Sequence, residues 1–202
     1  LKDPRAAFAS DDPVGLTRDV VAARPERRLN VVLIVVESLS AKFLGAFGND
    51  EGLTPNLDRL AQEGLLFTNL RATGTRTVRG LEAISLSVPP TPGYSIVKRP
   101  QNSNLFSLGT VFREHGYRSR FFYGGYSYFD NMGPFFAGNG FDVIDRSDLS
   151  GDEAEFANAW GVADEFVFRR VLREARRSHE AGERFLSLVL TTSNHRPFTY
   201  PE

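Results

Sequence analysis

Three short segments of this chain carry residue types that do chemistry, and each stands beside a run that reads as a strand. The first is Val36-Glu37-Ser38, at the end of the apolar run Val31 to Val36. A carboxylate set directly after six buried aliphatic residues needs a partner, because an unpaired buried charge is costly. A divalent cation, an Arg or a helix N-terminus would serve; the plain alternative is a structural carboxylate that ties down the next loop. The second segment is Thr73-Gly74-Thr75-Arg76-Thr77-Val78-Arg79-Gly80. Thr77 falls at a helix start, where backbone N–H groups and the helix dipole favour an anion such as an alkoxide or a phosphate oxygen. Arg76 and Arg79 flank it and would neutralise phosphate oxygens. A Thr at a helix start is most often an N-cap, and as a nucleophile it needs a base or a metal to activate it. The third segment is Ser193-Asn194-His195-Arg196-Pro197-Phe198, in which His195 would serve as a ligand, a general acid or a phosphate donor, or stand as an ordinary loop residue. His115 and His179 fall at helix ends, where interaction with the helix C-terminus accounts for them.

A fourth stretch is aromatic. Nine of the 21 residues from 121 to 141 are Phe or Tyr and five are Gly. Core packing takes most of such a cluster, while its glycines suggest a folded loop over the sheet edge. Tyr123, Tyr126 and Asp130 would line a pocket for a polyol or sugar, where rings stack and polar tips hydrogen-bond.

The elements that must position these residues follow from pattern. Asn30 to Val36 is a β-branched run without alternation, which predicts a strand buried on both faces. Thr54-Pro55 opens a helix that Gly64 stops. Leu65 to Leu70 reads as a strand, Val78 to Leu86 as a helix, and Asn104 to His115 as a helix closed by Gly116. Arg118 to Tyr123 reads as a strand. Asp164 to His179 is a helix with Phe168, Val171, Leu172 and Ala175 on one face, and Phe185 to Thr191 is a last buried strand. Residues 1–29 are polar and read as a linker or lead-in segment, with one short helix near Val14 to Ala23. Alternating strands and helices predict an α/β fold with a largely parallel sheet flanked by helices. Active sites of such sheets lie outside the strands' carboxyl ends, where the three reactive segments fall.

Composition narrows the function classes. At 202 residues the chain suits one domain with a sizeable core. Lys plus Arg total 24 against 25 Asp plus Glu, so no basic excess points to nucleic acid. The absence of Cys removes disulfide frameworks, thiolate zinc sites and Cys nucleophiles together. The aliphatic run ending at Val36 is far too short to span a bilayer, which takes about 20 residues.

The order and spacing of Asn30–Ser38, Thr54–Ala61, Gly74–Ala83 and Ser193–Phe198 resemble the sulfatase-type alkaline phosphatase superfamily. Within it they are most similar to the branch of lipoteichoic acid synthases and periplasmic phosphoglycerol transferases. The resemblance covers roughly residues 29–202, with Thr75-Arg76-Thr77-Val78-Arg79-Gly80 its most specific part. It implies that Glu37 matches the family's first metal ligand and that Thr77 matches the nucleophile, which also touches the metal. It implies further that His195 contacts the substrate phosphoglycerol. The implied cofactor is one divalent ion, manganese first, with magnesium or zinc as alternatives. Oxygen ligands suit such a hard ion. The implied reaction moves a phosphoglycerol-type group from a phospholipid headgroup donor to a glycan or glycerophosphate acceptor, through a threonine-linked intermediate. The implied location is the extracytoplasmic face of the cytoplasmic membrane, with the membrane reached through segments absent from this chain.

Two departures from the family pattern stand out. The loop of the synthases that matches residues 122–132 carries a His, an acidic residue and a Trp-Asn-Arg triplet; here those positions read Tyr123, Gly125 and Asp130-Asn131-Met132. The family also completes its metal site with an Asp-His pair, and no Asp-His dipeptide occurs here. The expectation is therefore an N-terminal part of the domain over residues 30–202, binding metal weakly and turning over little by itself. The Leu1 start and the Tyr200-Pro201-Glu202 end accord with a processed or excised piece. Formylglycine chemistry needs a Cys/Ser-x-Pro-x-Arg pattern, which Thr77-Val78-Arg79 does not supply. A phosphoethanolamine transferase or another sulfatase-family hydrolase is the enzymatic alternative, and a non-catalytic cell-envelope binding domain the other.

Overall fold

The computed structural model describes residues 25, 27–89, 91–151 and 154–199. The helix expected near Val14 to Ala23 lies outside the described residues. Four parallel strands form one sheet: β1 (Val31–Val35), β2 (Tyr117–Tyr123), β3 (Asp142–Ile144) and β4 (Arg184–Leu190). Their order is β1-β4-β2-β3. Val35 stands opposite Leu190, which in turn stands opposite Tyr123, so three strands end at one level.

The centre of the sheet is the half expected to be buried. In β4, all residues after Arg184 are buried, and β2 is buried from Ser119 onward. Among the described residues there are five α-helices: α1 (Pro55–Glu63), α2 (Thr77–Leu86), α3 (Leu108–Glu114), α4 (Met132–Gly138) and α5 (Asp164–Glu180). On one face, Val78 and Leu81 of α2 and Phe135 and Phe136 of α4 pack with Phe121, Leu186 and Leu188. On the other, Phe166, Val167 and Val171 of α5 pack with Phe122 and Val189. Successive strand residues point to opposite faces, so Phe121 and Phe122 join different clusters. Burial on this scale is the main stabilising term.

Several expectations change. The run Val31 to Val36 does not occupy an interior strand: β1 is an edge strand, and Val32 and Ile34 are 47% and 46% exposed. The helix α5 covers β2 and β4 and stops short of that face. Leu65 to Leu70 forms no strand, and Leu65 and Leu70 are more than four-fifths exposed. A strand needs a ladder partner, and among the described residues none lies beside it. The helix expected from Asn104 begins at Leu108. Asn104 has φ of 59°, and the Ser107 hydroxyl accepts from the Thr110 N–H at 3.1 Å while Thr110 Oγ1 accepts from the Ser107 N–H. That reciprocal cap fixes the true start. Thr54 stands at the N-cap of α1, but its hydroxyl donates to Asp58 Oδ2 at 3.1 Å.

The aromatic stretch divides. Phe121, Phe122, Phe135, Phe136 and Phe141 are core, with Phe121 stacked on Phe136 at 3.8 Å. Tyr126, Tyr128 and Phe129 are exposed at the carboxyl end of the sheet. The short helix α4 and strand β3 lie within and just after this stretch. Gly125 is required just after β2, because a Cβ there would strike the Trp160 carbonyl and the Tyr123 ring.

Candidate active site at the strand carboxyl ends

Glu37 follows β1 by two residues and is fixed by the loop after β4. Its N–H donates to Thr191 Oγ1 at 2.9 Å, and Asn194 Nδ2 donates to its carbonyl at 3.0 Å. The loop after β4 is itself held by Asp164, whose Oδ1 accepts from the Thr192 N–H at 2.6 Å and the Ser193 N–H at 3.1 Å. The carboxylate of Glu37 has two hydroxyl partners. Ser38 donates to Oε1 at 3.0 Å and Thr77 donates to Oε2 at 2.9 Å.

Thr77 is the first residue of α2, with Arg76 at the N-cap position. The hydroxyl of Thr77 is spent on Glu37, which rules against the simple capping role. The positive end of the helix dipole and the half-buried hydroxyl therefore meet at one place. A hydrogen bond to a charged group is worth about 1.5–3 kcal/mol, enough to hold this rotamer. Arg76 is exposed at the cavity wall and makes no ion pair among the described residues. Arg79 turns away: its guanidinium bonds Glu82 Oε1 at 2.7 Å and the Gly93 carbonyl. The two arginines that flank Thr77 in sequence thus part company, and Arg79 is a structural residue of α2 rather than part of the cavity.

Glu37, Arg76, Thr77, Tyr123, Asp130 and His195 line one cavity of about 150 Å³. Tyr123 ends β2 and is almost fully buried. Burial, then the nearby Glu37 and Asp130 carboxylates, push its phenol up to about 12. It therefore stays protonated and able to donate. Asp130 and Asn131 both have left-handed backbone, with φ of 52° and 61°. Such conformations are tolerated best by Asp and Asn, and here two contacts hold them. Lys98 Nζ pairs with Asp130 Oδ1 at 2.6 Å, and Asn131 Nδ2 donates to the Val97 carbonyl at 2.9 Å.

His195 is half-buried. Its Nδ1 lies 2.8 Å from the Arg196 carbonyl, which can only accept, so Nδ1 is the donor. The Trp160 ring lies tilted by 36° against it, centroids 3.8 Å apart, and donates Nε1–H to the same carbonyl at 2.6 Å. Tyr126, grouped with Tyr123 and Asp130 in the sequence reading, lies instead in a second, adjoining cavity of about 280 Å³. Tyr123, Phe129 and Trp160 belong to both walls.

Sequence reasoning missed Thr191, Asn194, Asp164 and Trp160. The first two stand directly after the last strand, in the position the sheet rule marks. Trp160 had one usable signal, as the sole Trp of the chain.

The donor set for a cation is two oxygens, one from Glu37 and one from Thr77. Oxygen donors fit a hard divalent ion, which those two residues would hold on one side. Among the described residues no group of three His, Cys, Asp or Glu side chains converges to complete it. A hydroxyl at a helix N-terminus, bonded to a carboxylate and ringed by a guanidinium, a phenol and an imidazole, can hold a tetrahedral oxyanion.

Residues 29–202 match the family model described as Sulfatase. The chain belongs to the sulfatase family. This sulfatase-family chain is 30% identical over 184 residues to phosphoglycerol transferase I of Salmonella paratyphi B, covering 86% of this chain and 24% of that protein. It therefore spans about a quarter of the length of the curated relatives it matches. A protein of the alkaline phosphatase superfamily from Vibrio parahaemolyticus superposes with a TM-score of 0.82 at 42% identity, over 89% of this chain and 44% of that one. The lipoteichoic acid synthase LtaP of Listeria monocytogenes shares the fold, with a TM-score of 0.77 at 18% identity over 87% and 43% of the two chains. The expected superfamily and the parallel sheet flanked by helices are both found.

Proposed function

We propose that this chain carries the nucleophile side of a phosphoryl-group transferase, moving a phosphoglycerol-type group from a phospholipid headgroup to an acceptor hydroxyl. The single observation that carries this reading is the Thr77 hydroxyl, held on Glu37 at a helix N-terminus beside Arg76, which makes no ion pair among the described residues. The relatedness to phosphoglycerol transferase I and to a lipoteichoic acid synthase supports the same class.

In the first step Thr77 Oγ1 bonds to the donor phosphorus and the bond from phosphorus to the lipid alcohol breaks. Glu37 Oε2, which already accepts the Thr77 hydrogen bond, takes the proton, and the lipid alkoxide takes a proton from water and leaves as its alcohol. In the second step the acceptor hydroxyl bonds to phosphorus and the bond to Thr77 Oγ1 breaks; the proton held by Glu37 returns to Thr77, and the acceptor proton passes to the hydroxide left by the first step. Arg76 and the N-terminus of α2 stabilise the charge on the non-bridging oxygens. His195 and Tyr123 hydrogen-bond the headgroup. A divalent ion bound at Glu37 and Thr77, manganese first and magnesium or zinc as alternatives, would lower the hydroxyl pKa. By likeness to its relatives the domain works on the extracytoplasmic side of a membrane; among the described residues no helix is long and apolar enough to cross one.

The choice of glycerol over ethanolamine has its own support. Asp130 already pairs with Lys98, so a cationic ammonium would have to break that ion pair. Glycerol hydroxyls have Asp130 and Tyr123 to bond without doing so. The test uses phosphatidylglycerol and phosphatidylethanolamine analogues with the divalent ion present. Covalent phosphoglycerol on Thr77, seen by mass spectrometry with the first donor only, is the expected result. Labelling from both donors alike, or at another residue, would overturn the reading.

A further inference from the structure

We propose that Lys98 is a specificity-determining residue: by occupying Asp130 it makes the Thr77 cavity take a neutral polyol phosphate and refuse an ammonium-bearing one. The proposal deepens the transferase reading and rests on it for the place of this headgroup in a reaction. The charge discrimination itself is a binding property and is read apart from turnover.

The charges of the cavity wall frame the question. Its charged side chains are Glu37, Arg76 and Asp130. Glu37 is engaged by the Ser38 and Thr77 hydroxyls at the nucleophile, and Arg76 stands beside it as the cation for a phosphate. Asp130 is the remaining anion. Phosphate on Arg76 and ammonium on Asp130 would suit a zwitterion such as phosphoethanolamine. The wall by itself would thus select the wrong headgroup for a phosphoglycerol donor.

Lys98 cancels that selection. Its Nζ donates to Asp130 Oδ1 at 2.6 Å, and Lys98 is not among the residues of the wall. The cation therefore neutralises Asp130 without belonging to the cavity. Asp130 Oδ2 makes no hydrogen bond among the described residues, so it can accept from a glycerol hydroxyl while the ion pair persists. An ammonium gains little beside a carboxylate whose charge is already met, and it meets Lys98 as a like charge.

The pair is also placed with unusual care. Exposed ion pairs are ordinarily worth little, because two long side chains must be held in one geometry. Here the backbone of both partners is held. Lys98 ends the 3-10 turn Ile96–Lys98, whose Val97 is fully buried. The Val97 carbonyl accepts from Asn131 Nδ2 at 2.9 Å and from Asn102 Nδ2 at 2.6 Å. Asn131 is the neighbour of Asp130, so one bond ties the two sides of the ion pair together. Glu82, on the helix that begins with Thr77, accepts from the Ser95 hydroxyl at 2.6 Å and from the Ile96 N–H. The turn that carries Lys98 is thereby fastened to the helix that carries Thr77.

The experiment titrates the 202-residue chain with glycerol 1-phosphate and with phosphoethanolamine. Trp160, the sole Trp, lies in the wall and reports occupancy by its fluorescence. Both probes carry the same phosphate, so their affinity ratio isolates the headgroup. The native chain should prefer glycerol 1-phosphate. Lys98→Gln should move the ratio about tenfold toward phosphoethanolamine, the scale of one hydrogen bond to a charged group. Lys98→Arg should keep the native ratio. Adding Asp130→Asn to Lys98→Gln should abolish the shift, because the anion that would receive the ammonium is gone. No binding of either probe, equal affinities in the native chain, or a ratio unmoved by Lys98→Gln would overturn the proposal. So would a shift that appears equally in Lys98→Arg or persists without the Asp130 carboxylate. A Lys98-dependent ratio with no covalent label on Thr77 would uphold the proposal and sink the transferase reading. Labelling by the glycerol donor with a ratio blind to Lys98 would do the reverse.

Discussion

The Thr77 hydroxyl donates to Glu37 Oε2 at 2.9 Å, joining a helix N-terminus to the end of an edge strand. That contact separates two readings of Thr77 that pattern alone left open. A capping Thr would turn its oxygen onto its own helix; this one turns it onto a carboxylate. Removing the hydroxyl tests the distinction. Thr77→Ala should lower phosphoglycerol transfer by at least about 10³-fold, the scale for loss of a nucleophile. It should cost only about 1–2 kcal/mol of stability, read from a denaturant midpoint. Thr77→Ser should restore part of the rate. Transfer that survives in Thr77→Ala would make the residue a local tie and nothing more.

Metal affinity follows from the donor set. Two oxygens fall well short of the six or so ligands of a hard-ion site. Manganese should therefore bind the 202-residue chain in the range of about 10⁻³ M by calorimetry, at the weak end of oxygen sites. Glu37→Gln should remove even that. A micromolar constant on the same chain would contradict the incomplete site.

The phenol of Tyr123 gives a pH signature. Its value in the folded chain is pushed up to about 12, against about 10 for an unfolded tyrosine. The folded state thus keeps a proton that the unfolded state has lost. The stabilising contribution is complete below about pH 10 and fades as pH rises through about 12. In an ultraviolet titration one of the six tyrosines should ionise late, and Tyr123→Phe should delete that late phase. A phenol that titrates with the rest would show that the cavity is wetter than its walls imply.

Glu82 sits at the opposite end of the pH scale. Burial pushes its carboxyl up, but the Ser95 hydroxyl, the Arg79 guanidinium and the Ile96 N–H together hold it below the ordinary range. Its contribution is present above about pH 4.3 and is lost as pH falls through the lower folded value. Glu82→Ala should cost about 3 kcal/mol, because it strands a half-buried Arg79. The variant should also lose part of the acid-induced transition, measured by circular dichroism.

The small glycines at the site have a mechanical role open to test. Gly125→Ala should drive the Tyr123 ring and the Trp160 loop apart. Transfer should fall about tenfold or more, as expected when groups positioned for reaction shift by about 1 Å. The Trp160 emission should change even without substrate. An unchanged spectrum would show that the loop absorbs the extra methyl.

Much of this geometry was readable in the residues because parallel sheets put their strand ends on one side. Glu37, Thr77 and His195 each follow or precede an element that pattern could find, so their convergence followed from topology. The exceptions have physical causes. A run of aliphatic residues reads the same at an edge as at the centre, and only the strand order exposes Val32 and Ile34. The helix α4 contains Gly133, Pro134 and Gly138, poor helix formers, and is held by the burial of Phe135 and Phe136 instead. Arg79 looked equivalent to Arg76 until Glu82, three residues on, claimed it. Trp160 belongs to the site through its ring contact with His195 and its hydrogen bond to the Arg196 carbonyl, which no local pattern encodes.

The stitching of Glu37 to the loop after β4 also sets a timetable. The contacts that fix its backbone reach across 154 residues to Thr191 and 157 to Asn194. Contacts so distant form late, after the loop-closure entropy has been met. During synthesis the helix bearing Thr77 can form early, while Glu37 stays unanchored until β4 has emerged and docked between β1 and β2. Any nascent chain ending before residue 191 would thus present a hydroxyl with no fixed carboxylate, and the reactive pair would assemble only once β4 has docked.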